Sequence, residues 1–368
     1  MRLAVVSTHP IQYYAPLFRR LTERGKLDLH VFYGWRGAAE ATAHDPGFDR
    51  NVQWDISLLE GYNHTFVPNT SSDPGTHHFR GLVNPLLIST IEEWNPDAVL
   101  VFGWGWQSHL RALRHFSGRV PVFFRGDSTL LDETRRVRTL IRRLFLRWVY
   151  RHVDCALHVG TNNRAYFEAH GLGDDQLHWV PHAIDNERFS DSNGSVRKEA
   201  LSWRRDLGIP PGAPTIVFAG KLSRKKGPDL LLRAFERLEV PDAHLVVAGA
   251  GPLEDDLRQR SPDQVHFIGF QNQSRMPVVY HLGRVFVLPS RGPGETWGLA
   301  VNEAMACGRP VIVSDKVGCA PDLVSEGENG FVFQTRDIKD LRDKLRKILD
   351  NRVSHKKMGA RSAEIIRS

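Results

Sequence analysis

Apolar runs of three to six residues recur along the chain, and few of them alternate with polar positions. Leu3–Val6, Leu27–Phe32, Asp97–Phe102, Val120–Phe124, Cys155–Val159 and Leu177–Val180 fall in the amino half; Thr215–Ala219, His244–Ala248, Val265–Ile268, Val285–Leu288 and Val311–Val313 follow in the carboxyl half. Runs that are apolar on both faces belong to strands covered on both sides, as in parallel sheets. Between them lie segments with helical spacing, among them Pro16–Arg24, Arg164–His170, Lys198–Arg205, Ile338–Leu349 and His355–Arg367. Strand-helix alternation implies parallel sheets with right-handed crossovers.

The alternation runs twice, which predicts an α/β protein of two Rossmann-like domains with parallel sheets facing a central cleft. The expected boundaries are 1–190 for the amino-terminal Rossmann-like domain, 191–213 for a linker, 214–350 for the carboxyl-terminal Rossmann-like domain and 351–368 for a terminal helix. From Trp35 to about Pro85 the periodicity lapses into Gly, Pro, Asn and His, so an elaborated loop region is expected there.

Composition narrows the partners. At 41% hydrophobic and 25% charged, the chain reads as globular, and its formal charge of +7 favours anionic ligands. The charge is spread out and no basic-aromatic module stands out, so nucleic acid is not an expected partner. Cys155, Cys307 and Cys319 lack metal or redox spacing and fit a reducing compartment. The first apolar run is too short for a secretory signal, and no stretch approaches the roughly 18 apolar residues of a membrane span. A cytoplasmic protein is expected, with the inner face of a membrane as a candidate surface.

The segment GETWGLAVNEAMACGRP, Gly294–Pro310, carries the densest chemistry. After the strand Val285–Leu288 comes turn chemistry at Ser290–Gly294, then good helix formers from Trp297 to Cys307, closed by Gly308 and Pro310. Glu295 is placed at the helix mouth and Glu303 about two turns inside, close enough in angle to flank one ligand. A helix N-terminus with free N–H groups suits a phosphate. A second motif, Phe218–Pro228 (FAGKLSRKKGP), ends a strand at Gly220 and opens a helix at Gly227 and Pro228. Its cationic loop lies at the carboxyl edge of a parallel sheet, where ligands bind in open α/β folds.

Together these motifs resemble the family 4 retaining glycosyltransferases of the GT-B fold, strongly from about Val180 to Phe333 and mostly in architecture before that. The resemblance implies an enzyme that moves a sugar from a nucleotide-diphospho-sugar to a glycan, lipid-linked or small-molecule hydroxyl, with no cofactor and no metal, UDP-sugars being favoured over GDP-sugars. By the same resemblance, Lys221 and Lys226 hold the diphosphate, Glu295 positions the sugar and Glu303 binds the ribose. Gly220, Gly251, Gly298, Leu299 and Phe270 complete the donor site. Lys221 departs from the family's usual arginine, a point charge replacing a fork. A nucleotide-sugar epimerase or hydrolase on the same fold, or a donor-binding relative without turnover, stays open as an alternative.

The amino half departs further. No glycine occurs between Met1 and Glu23, so the first loop offers His9 and Gln12 as side-chain contacts for donor or acceptor. Asp127 stands where the family often has a histidine near the reactive carbon, and a carboxylate there can accept a sugar hydroxyl or a proton. Arg125 and Trp104 join these as acceptor-side candidates, Trp104 as a stacking surface or as core. Arg135–Arg151 (RRVRTLIRRLFLRWVYR) holds seven arginines and no acid, a pattern that fits either an anionic membrane or a core-packing helix with solvated arginines. His77 and His78 show no further ligand spacing, and no Asp-x-Asp triplet occurs. The final helix that crosses back onto the amino domain in the family is expected to be shortened.

Overall fold

A computed structural model describes residues 1–37, 43–45, 48, 50–133, 137–350 and 352–368. The chain divides into two compact units, residues 1–43 with 52–183, and residues 44–51 with 184–368.

In the first unit the order is β1 (Arg2–Ser7), α1 (Tyr14–Glu23), β2 (Asp28–Tyr33), β3 (Ala43–Asp45), β4 (Arg50–Val52), β5 (Asn63–Phe66), α2 (Leu87–Trp94), β6 (Ala98–Phe102), α3 (Gln107–Phe116), β7 (Val122–Arg125), α4 (Val137–Tyr150), β8 (Cys155–His158), α5 (Thr161–Ala169) and β9 (Leu177–Trp179). Seven of these strands form one sheet in the order β5-β2-β1-β6-β7-β8-β9, all paired in parallel. β1 and β6 are the predicted runs, with every residue from Leu3 to Ser7 and from Ala98 to Phe102 buried. One face of the sheet packs Val6, Val99, Val101 and Phe124 against α2, α3 and α4; the other packs Val5, Val31, Leu100 and Phe102 against α1.

β5 was not expected. It lies inside the stretch from Trp35 to Pro85, and its sequence, Asn-His-Thr-Phe, carries no apolar run. It forms because it pairs with β2 at the sheet's edge, His30 opposite Asn63 through Tyr33 opposite Phe66. The following loop is held by side chains. Asn84 Nδ2 donates to the carbonyls of Gly34 and Val67, and Asn69 Nδ2 donates to Gly81 O.

The second unit continues with α6 (Asn186–Phe189), α7 (Ser195–Asp206), β10 (Thr215–Ala219), α8 (Pro228–Glu236), β11 (His244–Ala248), α9 (Glu254–Arg260), β12 (Val265–Gly269), α10 (Met276–His281), β13 (Val285–Leu288), α11 (Leu299–Ala306), β14 (Val311–Ser314), α12 (Ala320–Leu323), β15 (Gly330–Phe333), α13 (Ile338–Leu349) and α14 (Arg352–Arg367). Its sheet runs β12-β11-β10-β13-β14-β15, again all parallel. Two doubly wound parallel sheets of this kind are the GT-B architecture.

The structure places the division between the units after Ala183, and the segment expected as a linker is built into the second unit. There α7 packs on α10, and Arg204 ties it to the sheet by donating to Thr215 Oγ1 at 2.7 Å. The terminal helices form as predicted from their spacing. α13 turns Leu341, Leu345, Ile348 and Leu349 inward, and Asp337 caps it by accepting from Asp340 N–H at 2.9 Å. α14 packs against α11 and α13.

Candidate active site

In the second sheet the strand order reverses between β10 and β13, so the loops leaving these two strands diverge and a crevice opens at their carboxyl ends. The two sequence motifs are these two loops. Lys226, at the end of the loop after β10, places Nζ 2.7 Å from Glu295 Oε2 and 2.9 Å from Oε1, across 69 residues of sequence. Ser290, the second residue after β13, donates its hydroxyl to Glu295 Oε2 at 2.7 Å. Glu295 is 6% exposed and Lys226 22%. Burial pushes the Glu295 carboxyl up, but the charge and hydrogen bond of Lys226, the Ser290 hydroxyl and the charge of Lys225 outweigh it and hold the group below its ordinary value. Glu295 is therefore a fixed carboxylate at neutral pH, a hydrogen-bond acceptor aimed by two donors.

Backbone contacts fasten the loops together. Arg291 N–H donates to Lys225 O at 2.8 Å, Lys225 Nζ donates to Gly294 O at 2.6 Å, and Gly318 N–H donates to Glu295 O at 2.9 Å. Lys225 is exposed, and it clamps one loop to the other. Two glycines are required by this geometry. Gly227 has φ +68, and a Cβ there would lie 2.3 Å from Pro289 O; Gly298 has φ +99, and a Cβ would meet Val317 and Leu288 at 2.9 and 3.0 Å.

Gly298 also sets where the helix starts. α11 begins at Leu299, not Trp297, because Gly298 is left-handed and occupies the cap position. Trp297 is buried beside it, its Nε1 donating to Asn302 Oδ1 at 2.8 Å. The N-terminus of α11 has no side-chain cap and no acid in its first turn, so no carboxylate within the helix's first turn offsets its positive end. α8 differs, since its first-turn Asp229 is paired with Arg291 at 2.6 Å.

Because α11 starts later, Glu303 is its fifth residue, little more than one turn inside rather than two. It is 2% exposed, and Tyr280 on α10 donates its hydroxyl to Glu303 Oε2 at 2.6 Å. The remaining donor candidates sit on the loops after β10, β11 and β12. Gly220 ends β10, and its N–H donates to Ala248 O. At Gly251 a Cβ would lie 2.8 Å from Leu222 O, so that turn packs closely on the lysine loop. Phe270 directly follows β12, its ring 4.9 Å from that of Phe48, and Lys221 Nζ lies 4.9 Å from the Phe48 ring. Phe48 belongs to the 44–51 segment grouped with this unit, within the stretch read as irregular.

The amino-unit candidates have a different character. His9 follows β1; its Nδ1 is 2.9 Å from Thr8 Oγ1, its ring packs against Trp35, and burial lowers its pKa to about 4. Gln12 lies in the same loop, partly buried. Arg125 at the end of β7 is 4% exposed and donates to Val180 O at 2.8 Å and Pro181 O at 3.2 Å, which makes it a brace for the chain after β9. Burial lowers the Arg125 pKa, opposed by Tyr14 and, less strongly, by Asp127 two residues beyond. Trp104 packs on the core beside α4, 5.5 Å from Phe145, which favours its packing role over sugar stacking.

Several participants carried no signal of their own. Ser290 and Tyr280 orient the two glutamates, yet a lone Ser or Tyr at those positions is legible only from the contacts. His182, buried at the amino unit's end with its pKa lowered to about 3 by burial and Arg125, was likewise not singled out. Asp73 also escaped notice: its Oδ2 lies 3.1 Å from His77 Nε2 and 3.3 Å from His78 Nε2 in an exposed loop.

Residues 200–364, which hold both loops, match the family Glycosyl transferases group 1. Among known proteins the chain is 26% identical to sulfoquinovosyl transferase SQD2 of Arabidopsis thaliana, the match covering 77% of this chain and 55% of that one. It is 28% identical to a GDP-mannose-dependent monoacylated alpha-(1-6)-phosphatidylinositol monomannoside mannosyltransferase of Corynebacterium glutamicum, over 59% of this chain and 58% of that one. The chain thus spans little more than half the length of these relatives. Among solved structures it is similar to Anabaena Alr3699/HepE in complex with UDP, with TM-score 0.75 and 18% identity over 100% of this chain and 94% of that one. At that identity the likeness establishes the fold.

Proposed function

We propose that the protein is a retaining glycosyltransferase that moves a sugar from a nucleotide-diphospho-sugar to a hydroxyl of a glycan, lipid-linked or small-molecule acceptor, without a metal. The observation that carries this reading is the Lys226–Glu295–Ser290 cluster at the switch point of β10 and β13, beside the uncapped N-terminus of α11. A diphosphate needs positive charge and N–H donors, and the lysine loop with α11 supplies both. A sugar needs oriented hydrogen-bond acceptors, and Glu295 is a buried, ionised one.

In the reaction the acceptor oxygen bonds to the anomeric carbon on the face from which the diphosphate departs. The bond from that carbon to the phosphate oxygen breaks with its electron pair going to the phosphate. The acceptor proton passes to the released diphosphate. The developing charge falls on Lys221, Lys226 and the α11 N-terminus, and such preorganised charge lowers the barrier. Glu295 orients the sugar against Lys226, and Glu303, held by Tyr280, accepts from the ribose hydroxyls. UDP is the favoured nucleotide, supported by a UDP complex of the same fold; the GDP-mannose-dependent relative makes GDP the competing outcome.

Calorimetry with nucleoside diphosphates tests the division of roles. Glu303→Ala weakens UDP binding with no sugar attached, whereas Glu295→Ala leaves UDP affinity nearly intact and slows sugar transfer. Equal losses of UDP affinity in both variants defeat this assignment, and a product of inverted anomeric configuration defeats the retaining mechanism.

A further inference from the structure

We infer that the outward face of α4 docks the amino-terminal unit on an anionic lipid bilayer. The sequence left this helix open between a membrane surface and a core-packing element whose arginines face solvent. Arg135 and Arg136 lie outside the described residues, but the helix from Thr139 onward decides between the two. Leu146, Val149 and Tyr150 are its buried side. Leu140, Ile141, Leu144 and Phe145 are 62, 63, 60 and 40% exposed. Four of the ten large apolar side chains exposed among the described residues thus fall within six consecutive positions, where scattered single ones are the ordinary case. At about 100° per residue the four cover an arc of about 140° on one side of the helix.

The charges are arranged around this stripe. Arg143, Arg147 and Arg151 recur every four residues and therefore run along one flank of it, with Arg147 and Arg151 exposed. Arg114 on α3 joins them, stacked 5.5 Å above the ring of Trp148, which in turn touches Phe145. On the amino-terminal side of the helix Glu133 pairs with Arg143 at 2.6 Å and Asp132 is exposed; beyond its carboxyl end Asp154 accepts from Val122 N–H at 2.8 Å. Arg142 is turned away, donating to Tyr166 OH at 3.2 Å.

An apolar stripe edged by arginines matches a bilayer interface. The leucines enter the acyl boundary, and the long arginine stems carry their guanidinium groups back up to the phosphates. On the transferase reading, on which this step alone rests, the docked unit would meet acceptor hydroxyls carried on lipids.

Cosedimentation of the full chain with vesicles tests the surface. Vesicles containing phosphatidylglycerol should carry the protein down at low salt and release it at high salt; pure phosphatidylcholine vesicles should hold it at least tenfold more weakly. Exchanging Arg147→Gln and Arg151→Gln together should lower the partition coefficient roughly thirtyfold, from about 1 kcal/mol per basic residue near such a surface. Exchanging Leu140→Gln, Ile141→Gln and Leu144→Gln should abolish binding. All these side chains are exposed, so circular dichroism and UDP affinity should match the parent protein. A parent protein that stays in solution with anionic vesicles at low salt overturns the inference. So does equal binding by the variants, or self-association that Leu144→Gln abolishes without any vesicle binding. Loss of UDP binding in the parent protein would instead count against the donor site and leave the lipid surface standing.

Discussion

The two units are wound alike and lined differently. Each places its first strand beside its fourth in the sheet's order of succession, β1 next to β6 and β10 next to β13 if the edge strands are matched. In the carboxyl unit, the loops at this reversal carry an ion pair, a buried carboxylate and an uncapped helix. In the amino unit, the loop after β1 and the start of α3 carry neutral buried histidines beside aromatic rings. His9 contacts Thr8 and Trp35, and His109 Nδ1 lies 2.9 Å from Phe102 O. A shared topology therefore provides a crevice in each unit, while the loop residues decide which ligand chemistry it suits. Charge in one favours phosphate; aromatic and neutral surfaces in the other favour hydroxyl-bearing groups.

The sharpest way to break this comparison is to remove the charge. Lys226→Ala should weaken nucleoside-diphosphate binding by about 2–3 kcal/mol, the typical cost of losing a charged hydrogen-bonding partner. Turnover should fall with it, because the lysine meets phosphate before and during transfer. Unchanged UDP affinity by calorimetry would show that the charged loop is not the phosphate site.

Acid should separate the units next. His9 and His109 have pKa values lowered to about 4 and His182 to about 3 by burial, whereas among the described residues of the carboxyl unit His281 is brought to about 4 and His244 and His266 are lowered. The unfolded chain takes up protons on these groups near 6.5, while the folded chain keeps them neutral to much lower pH. Stability therefore falls as pH drops from about 6.5 towards 4, and more steeply for the amino unit. Glu295 acts in the same direction, its stabilising contribution being lost as pH falls through its depressed folded value. Hydrogen exchange at stepwise lower pH should show the amino sheet opening first; earlier opening of the carboxyl sheet would reverse the contrast.

A smaller effect isolates the second glutamate. Tyr280→Phe removes one hydrogen bond to Glu303 and should cost about 1 kcal/mol of nucleotide affinity, less than a tenfold change. A loss as large as that of Lys226→Ala would mean that Tyr280 contacts the ligand itself. The smallest effect on nucleotide binding should come from His9→Asn. It should leave UDP affinity within about twofold, since its free-energy change there is well under 1 kcal/mol, while raising KM for the acceptor. A large loss of UDP affinity would move His9 to the donor.

The parallel sheets, the two alternating halves and both charged motifs were legible in the sequence because each rests on local patterning. Apolar runs mark buried strands whatever surrounds them, and glycine before a helix marks a backbone that only glycine adopts. The α11 start illustrates the limit. Trp297 is an acceptable helix former, and only the left-handed Gly298, packed against Val317 and Leu288, moves the boundary to Leu299.

What tertiary structure decided lies between segments far apart in sequence. β5 has no strand pattern and exists because β2 offers it an edge. Lys226 and Glu295, legible separately, become one paired group only when adjacent parallel strands bring their loops together. Arg125, read as an acceptor contact, is spent on the carbonyls of Val180 and Pro181. The face that α4 turns outward was equally undecided in its sequence, since leucines and arginines occur on every side of it. Neighbouring helices and the sheet chose Leu146, Val149 and Tyr150 for the core, and that choice left Leu140, Ile141 and Leu144 exposed. A side chain's partners are set by packing across the chain, and composition and spacing specify the groups available without specifying which of them meet.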